Sequence, residues 1–334
     1  MAEVPVKAGE PGGKKLLQFD KQRMTNLLLR NLMALVVIAV AVYFTIVRPQ
    51  FATTANMRTI LIAAAPFALI ALGQTLVILT GGIDLSVGSI VALSAMTSAA
   101  IIVDHPERMV LGVIAGVVVG LLAGLVSGVV VAYINVAPFV ATLGMLSVAS
   151  GLAYAIGRGA PINGLPVEWG LIANTRFLGV QVPVLVMIAG FIVLGVIMTR
   201  TSFGMRIYAV GGNRTAAEVA GVNVRGILTS VYAISGALAG MSGVILSSRV
   251  ISAAPYLGKG YELGAIAAVV IGGASLTGGR GTVWGTMLGL FLIQTLNNGL
   301  DILVVPAYWQ TVISGILIVS AVAVDMVAAK RSSG

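Results

Sequence analysis

Thr80-Gly81-Gly82-Ile83-Asp84-Leu85-Ser86-Val87-Gly88-Ser89 sets one carboxylate among glycines in a stretch otherwise empty of charge. Apolar runs flank it, over 60–79 on one side and 90–103 on the other. A carboxylate at the centre of a membrane helix costs roughly 2.5–3.5 kcal/mol on insertion scales, so such a group usually faces a cavity or carries function. Paired glycines let the backbone break, and broken helices at membrane depth are tolerated where they line a pathway. The simplest structural reading is a turn between two spans, with Asp84 as the N-cap of the second. That role is compatible with a place beside a route through the bilayer.

Working outward, the composition agrees with a membrane setting. Of the 334 residues, 58% are hydrophobic and 9% charged, against about 25% charged in soluble domains. No cysteine is present, which excludes disulfides, thiolate metal sites and cysteine nucleophiles. The one histidine, His105, lies in a short charged stretch and reads as a surface-loop residue; with no second histidine, no metal site is expected. The net charge of +9 sits mainly at the ends of apolar runs, where membrane lipid explains it better than nucleic acid.

Each crossing needs about 20 apolar residues. The pattern predicts spans at 32–47, 59–80, 85–103, 109–134, 138–157, 182–199, 226–248, 262–277, 283–304 and 307–327. The fold class is therefore all-α, a polytopic integral membrane protein of about ten helices. Residues 1–31 form a basic cytoplasmic tail, 32–327 the membrane domain and 328–334 a cytoplasmic C-terminal tail. The basic leader and first apolar run resemble a signal peptide, but the leader is long and Ala52-Thr53-Thr54-Ala55 is a poor cleavage site, so an uncleaved span is expected. With the N-terminus inside, Arg200, Arg206, Arg214 and Arg225 fall in the largest internal loop, and the inside collects more basic residues than the outside. Both termini are thus read as cytoplasmic.

Two loops are polar enough to form something of their own. The segment 158–181 is placed outside, where Trp169 would suit an interfacial anchor or a short helix lying on the membrane. The segment 200–225 is cytoplasmic. Within it Asn213 is a good N-cap, Gly221 a good left-handed terminator, and Arg214 and Glu218 share a face four residues apart. Ala216, Ala217, Val219 and Ala220 leave a shallow surface suited to another protein's groove, although a helix merely joining two spans would look alike.

Gly81-Gly82-Ile-Asp-Leu-Ser-Val-Gly-Ser is weakly echoed by Gly272-Gly273-Ala-Ser-Leu-Thr-Gly-Gly-Arg, as in membrane folds built by duplication. Gly112, Gly116, Gly120, Gly124 and Gly128 form a stripe that predicts close helix approach, within the fold or at a dimer seam.

The strings TGGIDLSVGS, YAVGGNRTAAEVAGVNV, GYELGAIAAVVIGG and ASLTGGRGTVWGT, in this order, resemble the ribose-type permeases, membrane subunits of bacterial ATP-binding-cassette importers for simple sugars. The resemblance runs from about Phe51 to Asp325. It implies a multi-pass location in the bacterial cell inner membrane and a pair of permeases, expected as a homodimer. It further implies a separate ATPase subunit below and a periplasmic sugar-binding protein above. On this resemblance the helix bearing Asn213, Arg214, Ala217, Glu218 and Gly221 couples the permease to the ATPase. Gly258-Lys259-Gly260 lacks the rest of a phosphate loop, so this chain is not expected to be an enzyme or to bind a cofactor; ATP belongs to the partner. One departure stands out: after Tyr-Glu-Leu these permeases commonly carry an aspartate, where this chain has Gly264.

A sugar in transit needs polar groups to replace part of its water and aromatic faces to stack on. Gln74, Asp84, Ser86, Asn297 and Asn298 are the candidate pathway residues, with helix–helix hydrogen bonding the competing role for one of the adjacent asparagines. No catalytic constellation is present. Two other readings stay open: a permease for a nucleoside or branched-chain amino acid, and an ion-coupled transporter using Asp84.

Overall fold

The computed structural model describes residues 32–332; the expected basic tail at 1–31 and residues 333–334 lie outside the described residues. Each predicted apolar run contains a helix. In order these are α1 (Leu32–Val47), α2 (Thr54–Leu79), α3 (Val87–Ile102), α4 (Met109–Tyr133), α5 (Pro138–Ile156) and α6 (Val182–Arg200). Two short helices follow, α7 (Ser202–Gly212) and α8 (Arg214–Val219). Then come α9 (Val224–Val250), α10 (Tyr261–Ile271), α11 (Val283–Ile302) and α12 (Ala307–Ser332), the last continuing past the boundary expected at 327. A small antiparallel hairpin, β1 (Arg176–Phe177) and β2 (Val180–Gln181), precedes α6. The chain is an all-α, multi-pass membrane protein. Helices α2, α4, α5, α6 and α9 are each long and apolar enough to cross a bilayer, while α1, α3 and α10 are shorter apolar helices.

The expected span at 262–277 needs correction. Helix α10 has 11 residues and covers about 16 Å, half of a hydrocarbon core roughly 30 Å thick. The rest of that run is non-helical, as are residues 82–86 before α3. The cause is the same at both breaks. Gly81 (φ +79°) donates to the Ile78 carbonyl while Gly82 reaches back to Val77. Gly273 (φ +89°) donates to Val270 while Ala274 reaches Val269. Each is the left-handed glycine stop that satisfies the last carbonyls of a helix. The structural equivalence pairs Gly81 with Gly273, one residue off the register of the sequence echo. The two breaks pack together, with Ile83, Leu85 and Leu276 against Ile78, Ile266, Val269 and Val270.

Helix α9 is the axis of the bundle and packs along α2, α3 and α4. The glycine stripe of α4 makes this possible and lies within the fold. A Cβ on Gly236 would fall 2.8 Å from Gly124 Cα, and one on Gly120 would fall 2.8 Å from Gly240 Cα. The backbones touch with no side chain between them. Serines of α3 bond to the same stripe, Ser98 Oγ donating to the Gly112 carbonyl at 2.8 Å and Ser94 Oγ to that of Gly116. Outward, α1, α4, α5 and α6 present large apolar side chains such as Ile46, Val110, Val140 and Ile192, as a lipid-facing wall requires.

Trp169 is not an interfacial anchor. Its side chain is fully buried against the end of α9, with Nε1 donating to Ser247 Oγ at 3.3 Å. Ser248 Oγ donates to the Trp169 carbonyl at 2.6 Å and accepts from the Ala173 amide at 3.0 Å. An indole N–H seeks a partner when buried, and the serine pair of α9 supplies it below the surface.

Candidate functional site

The Asp84 carboxylate is completely buried and held by donors on three sides. Oδ1 accepts from the Ser86 amide at 3.0 Å and from Ser86 Oγ at 2.5 Å, and Oδ2 accepts from Ser235 Oγ of α9 at 3.1 Å. Gln74 of α2, also fully buried, uses its amide to donate to the Asp84 carbonyl at 3.1 Å and accept from the Asp84 amide at 3.2 Å. The N-cap position of α3 belongs to Ser86, two residues later than expected, because Asp84 turns back to bind the Ser86 amide. Gln74, Asp84 and Ser86 are therefore one knot, fastening the break between α2 and α3 to α9. Beside it, Thr75 Oγ1 and Thr286 Oγ1 are 2.8 Å apart and tie α2 to α11.

The Tyr232 hydroxyl is buried next to this knot with no hydrogen-bond partner among the described residues. A Cβ on Gly82 would meet it at 2.5 Å, so glycine there is a steric demand of the tyrosine. A buried hydroxyl without a partner costs about 1–3 kcal/mol. Tyr232→Phe is accordingly expected to leave the melting temperature of the detergent-purified protein unchanged or higher. A fall of several degrees in a thermal-shift assay would show that the hydroxyl is satisfied after all.

The two asparagines separate. Asn298 forms a reciprocal amide pair with Asn56 of α2, 2.7 and 2.9 Å, and acts as a helix–helix bond. Asn297, with Gln294 one turn earlier, lines a crevice of about 370 Å³ between α10, α11 and α12, together with Phe67, Arg249 and Tyr261. Gly264 borders this crevice, and a Cβ there would reach the Phe67 ring at 3.0 Å.

At the other end of the bundle, α8 is bounded as its sequence indicates. Asn213 Oδ1 accepts from the Ala216 amide at 2.9 Å, and Gly221 (φ +81°) closes the helix in the left-handed conformation. Arg214 and Glu218 are paired at 3.5 Å on the solvent side, and Val219 is 86% exposed. Ala217 faces inward and is buried, so it anchors the helix and leaves Arg214, Glu218 and Val219 as the presented surface. The helix before it, α7, is clamped to both breaks. A Cβ on Gly211 would fall 2.6 Å from the Gly279 amide and closer still to the Leu79 carbonyl. Tyr208 Oη donates to the Gly281 carbonyl at 2.9 Å, and the Gly279 amide donates to Leu79 at 3.0 Å. Sequence reading did not foresee this junction, although three glycine pairs were visible.

A bundle of apolar helices with two broken elements at its centre, and an exposed capped helix joined to both breaks, describes a membrane permease. The chain belongs to the family described as branched-chain amino acid transport system / permease component, which it matches over residues 56–322. Among named relatives it is similar to the ribose import permease of Bacillus subtilis (strain 168), 46% identical over 84% of this chain and 87% of the relative. It is also similar to the ribose import permease of Escherichia coli (strain K12), 41% identical over 89% and 92% of the two chains. The D-allose transport system permease of the same organism is 35% identical over 88% and 90%. No solved structure matches the chain. It is a transport permease subunit, as its family description states.

Proposed function

We propose that this chain carries ribose or a closely related monosaccharide into the cytoplasm across the bacterial inner membrane. It works as a homodimer above two copies of a separate ATPase and receives its cargo from a periplasmic binding protein. The observation that carries the energy-coupling part is α8, whose Arg214, Glu218 and Val219 are exposed, while α7 directly before it grips both helix breaks through Tyr208 and Gly211. Seated in an ATPase, α8 moves as a rigid body, and Gly211 and Tyr208 pass that displacement to residues 79–86 and 272–282. The candidate pathway residues then divide by what they touch. Asp84, Ser86 and Gln74 hold the break that moves, Asn298 braces the frame, and Asn297 borders open space.

Names of relatives favour ribose as cargo. The family description itself keeps a branched-chain amino acid in view as the second reading. Asp84, fully buried and satisfied by hydroxyl and amide donors, offers little to an ion-coupled mechanism. The test is uptake of labelled ribose, allose, arabinose, leucine and adenosine in cells with and without this gene, alongside an Arg214→Glu/Glu218→Arg strain. High-affinity ribose uptake that depends on the gene, and that drops at least tenfold in the charge-swapped strain at equal membrane abundance, is the expected result. Uptake of leucine or adenosine alone would replace the cargo. Full activity in the charge-swapped strain would remove α8 from the coupling role.

A further inference from the structure

The strings around Gly88 and Glu262, far apart in sequence, meet in space. A Cβ built on Gly88 would fall 2.7 Å from the Gly258 carbonyl oxygen and clash still more closely with Glu262 Oε2. Glycine at 88 thus exists to admit a carboxylate against the first turn of α3. Glu262 Oε1 accepts from the Gly260 amide at 3.2 Å, which fixes the group, while Oε2 has no hydrogen-bond partner among the described residues. The carboxylate borders a cleft of about 220 Å³, and its neighbours there are Ser89 of α3, Ser150 and Tyr154 of α5, and Tyr256 and Lys259 of the loop before α10. Lys259 makes no ion pair with Glu262 among the described residues. In a chain with 9% charged residues, two opposite charges, two tyrosines and two serines around one opening are not a lipid-facing wall.

We infer that this cleft is a monosaccharide-binding subsite, at which the sugar handed over from outside first touches the permease. A sugar presents adjacent hydroxyls that donate to a fixed carboxylate and accept from an ammonium, plus apolar C–H faces that lie against tyrosine rings. The cleft supplies each of these. Two features suit transfer better than storage: it is open, and its aromatic residues Tyr154 and Tyr256 are 44% and 58% exposed, so contacts are few and release is fast. The cleft floor is the Gly88 end of the broken element, so a displacement of residues 79–86 alters the site directly. This inference rests on the sugar-permease reading and adds a location and named ligating groups to it.

The test uses the permease with its ATPase subunit in nanodiscs and saturation-transfer NMR with D-ribose as probe. Wild type is expected to give a signal at millimolar ribose. Glu262→Gln, which keeps the Gly260 bond but halves the carboxylate's accepting capacity, should weaken that signal at least fivefold. Tyr154→Ala, on the exposed side of α5 where folding is not at stake, should weaken it similarly. Full signal in both variants overturns the inference. So does a persistent ribose signal in Glu262→Gln with loss of binding-protein-stimulated ATP hydrolysis, which would make the cleft a protein-docking surface. Cells that import ribose through a permease with no wild-type signal would sink this site alone; cells that import no ribose would sink the cargo reading beneath it.

Discussion

Gly124→Val should prevent the bundle from assembling. The first atom added at residue 124 lands against the Tyr232 carbonyl oxygen and 3.0 Å from Gly236 Cα, both backbone of the central helix. Neither can swing aside as a side chain would, so α4 must lift away from α9 along its length. Overpacking a well-filled interior costs about 1–3 kcal/mol and occasionally more, and backbone against backbone belongs at the upper end. Lifting α4 also breaks the bonds from Ser94 and Ser98 to its glycine carbonyls. The expected outcome is loss of the monodisperse peak in fluorescence-detected size-exclusion chromatography. Gly144→Ala and Gly151→Ala are the matched controls, because a Cβ at either position of α5 meets nothing within 4 Å. Both should elute like wild type. If Gly124→Val does so too, the α4–α9 seam is not as close as described.

The second large effect concerns Asp84. Truncation to alanine strands the Ser86 amide, the Ser86 hydroxyl and the Ser235 hydroxyl in a buried space at once. Leaving one buried donor without a partner costs about 1–3 kcal/mol, and more where the lost partner is charged. Three together should reduce transport to background and lower the melting temperature markedly. Asp84→Asn keeps one carbonyl oxygen and the side-chain size, so it should fold more nearly normally. Its amide must still face a hydroxyl that previously donated, and rotation of that hydroxyl can relieve the conflict. Stability by thermal shift and ribose uptake in the same strains check the order wild type, Asn, Ala. An Asp84→Ala protein as stable as wild type would mean that the knot does not hold the break.

The knot also shows how little residue type alone says about a side chain's partners in a membrane chain. Asp84 invited a pathway role because a carboxylate in an apolar stretch usually faces a cavity. Its partner Ser235 lies on α9, 151 residues away, and a serine in an apolar run carries no sign of what it binds. The interfacial reading of Trp169 fails for a similar reason, since the Ser247–Ser248 pair it packs against is distant in sequence. The approach of Glu262 to Gly88 joins the first and third of the four motif strings, which nothing local in either announces.

The sequence by itself located a helix in each of the ten apolar runs, because a backbone in hydrocarbon must satisfy its own hydrogen bonds, but not that the run at 262–277 holds only a half-length helix. It also determined both ends of α8, since an asparagine cap and a left-handed glycine act on bonds within a few residues. The first break, at the Gly81–Gly82 pair, was legible for the same local reason, whereas the second, at Gly273, interrupts a run that reads as one span. Only the tertiary structure decided which residues meet: Gly124 with Gly236, Asp84 with Ser235, Gly211 with Leu79, and Glu262 over Gly88. Those pairings depend on helix rotation and depth, which many small contacts fix jointly and no single stretch of sequence encodes.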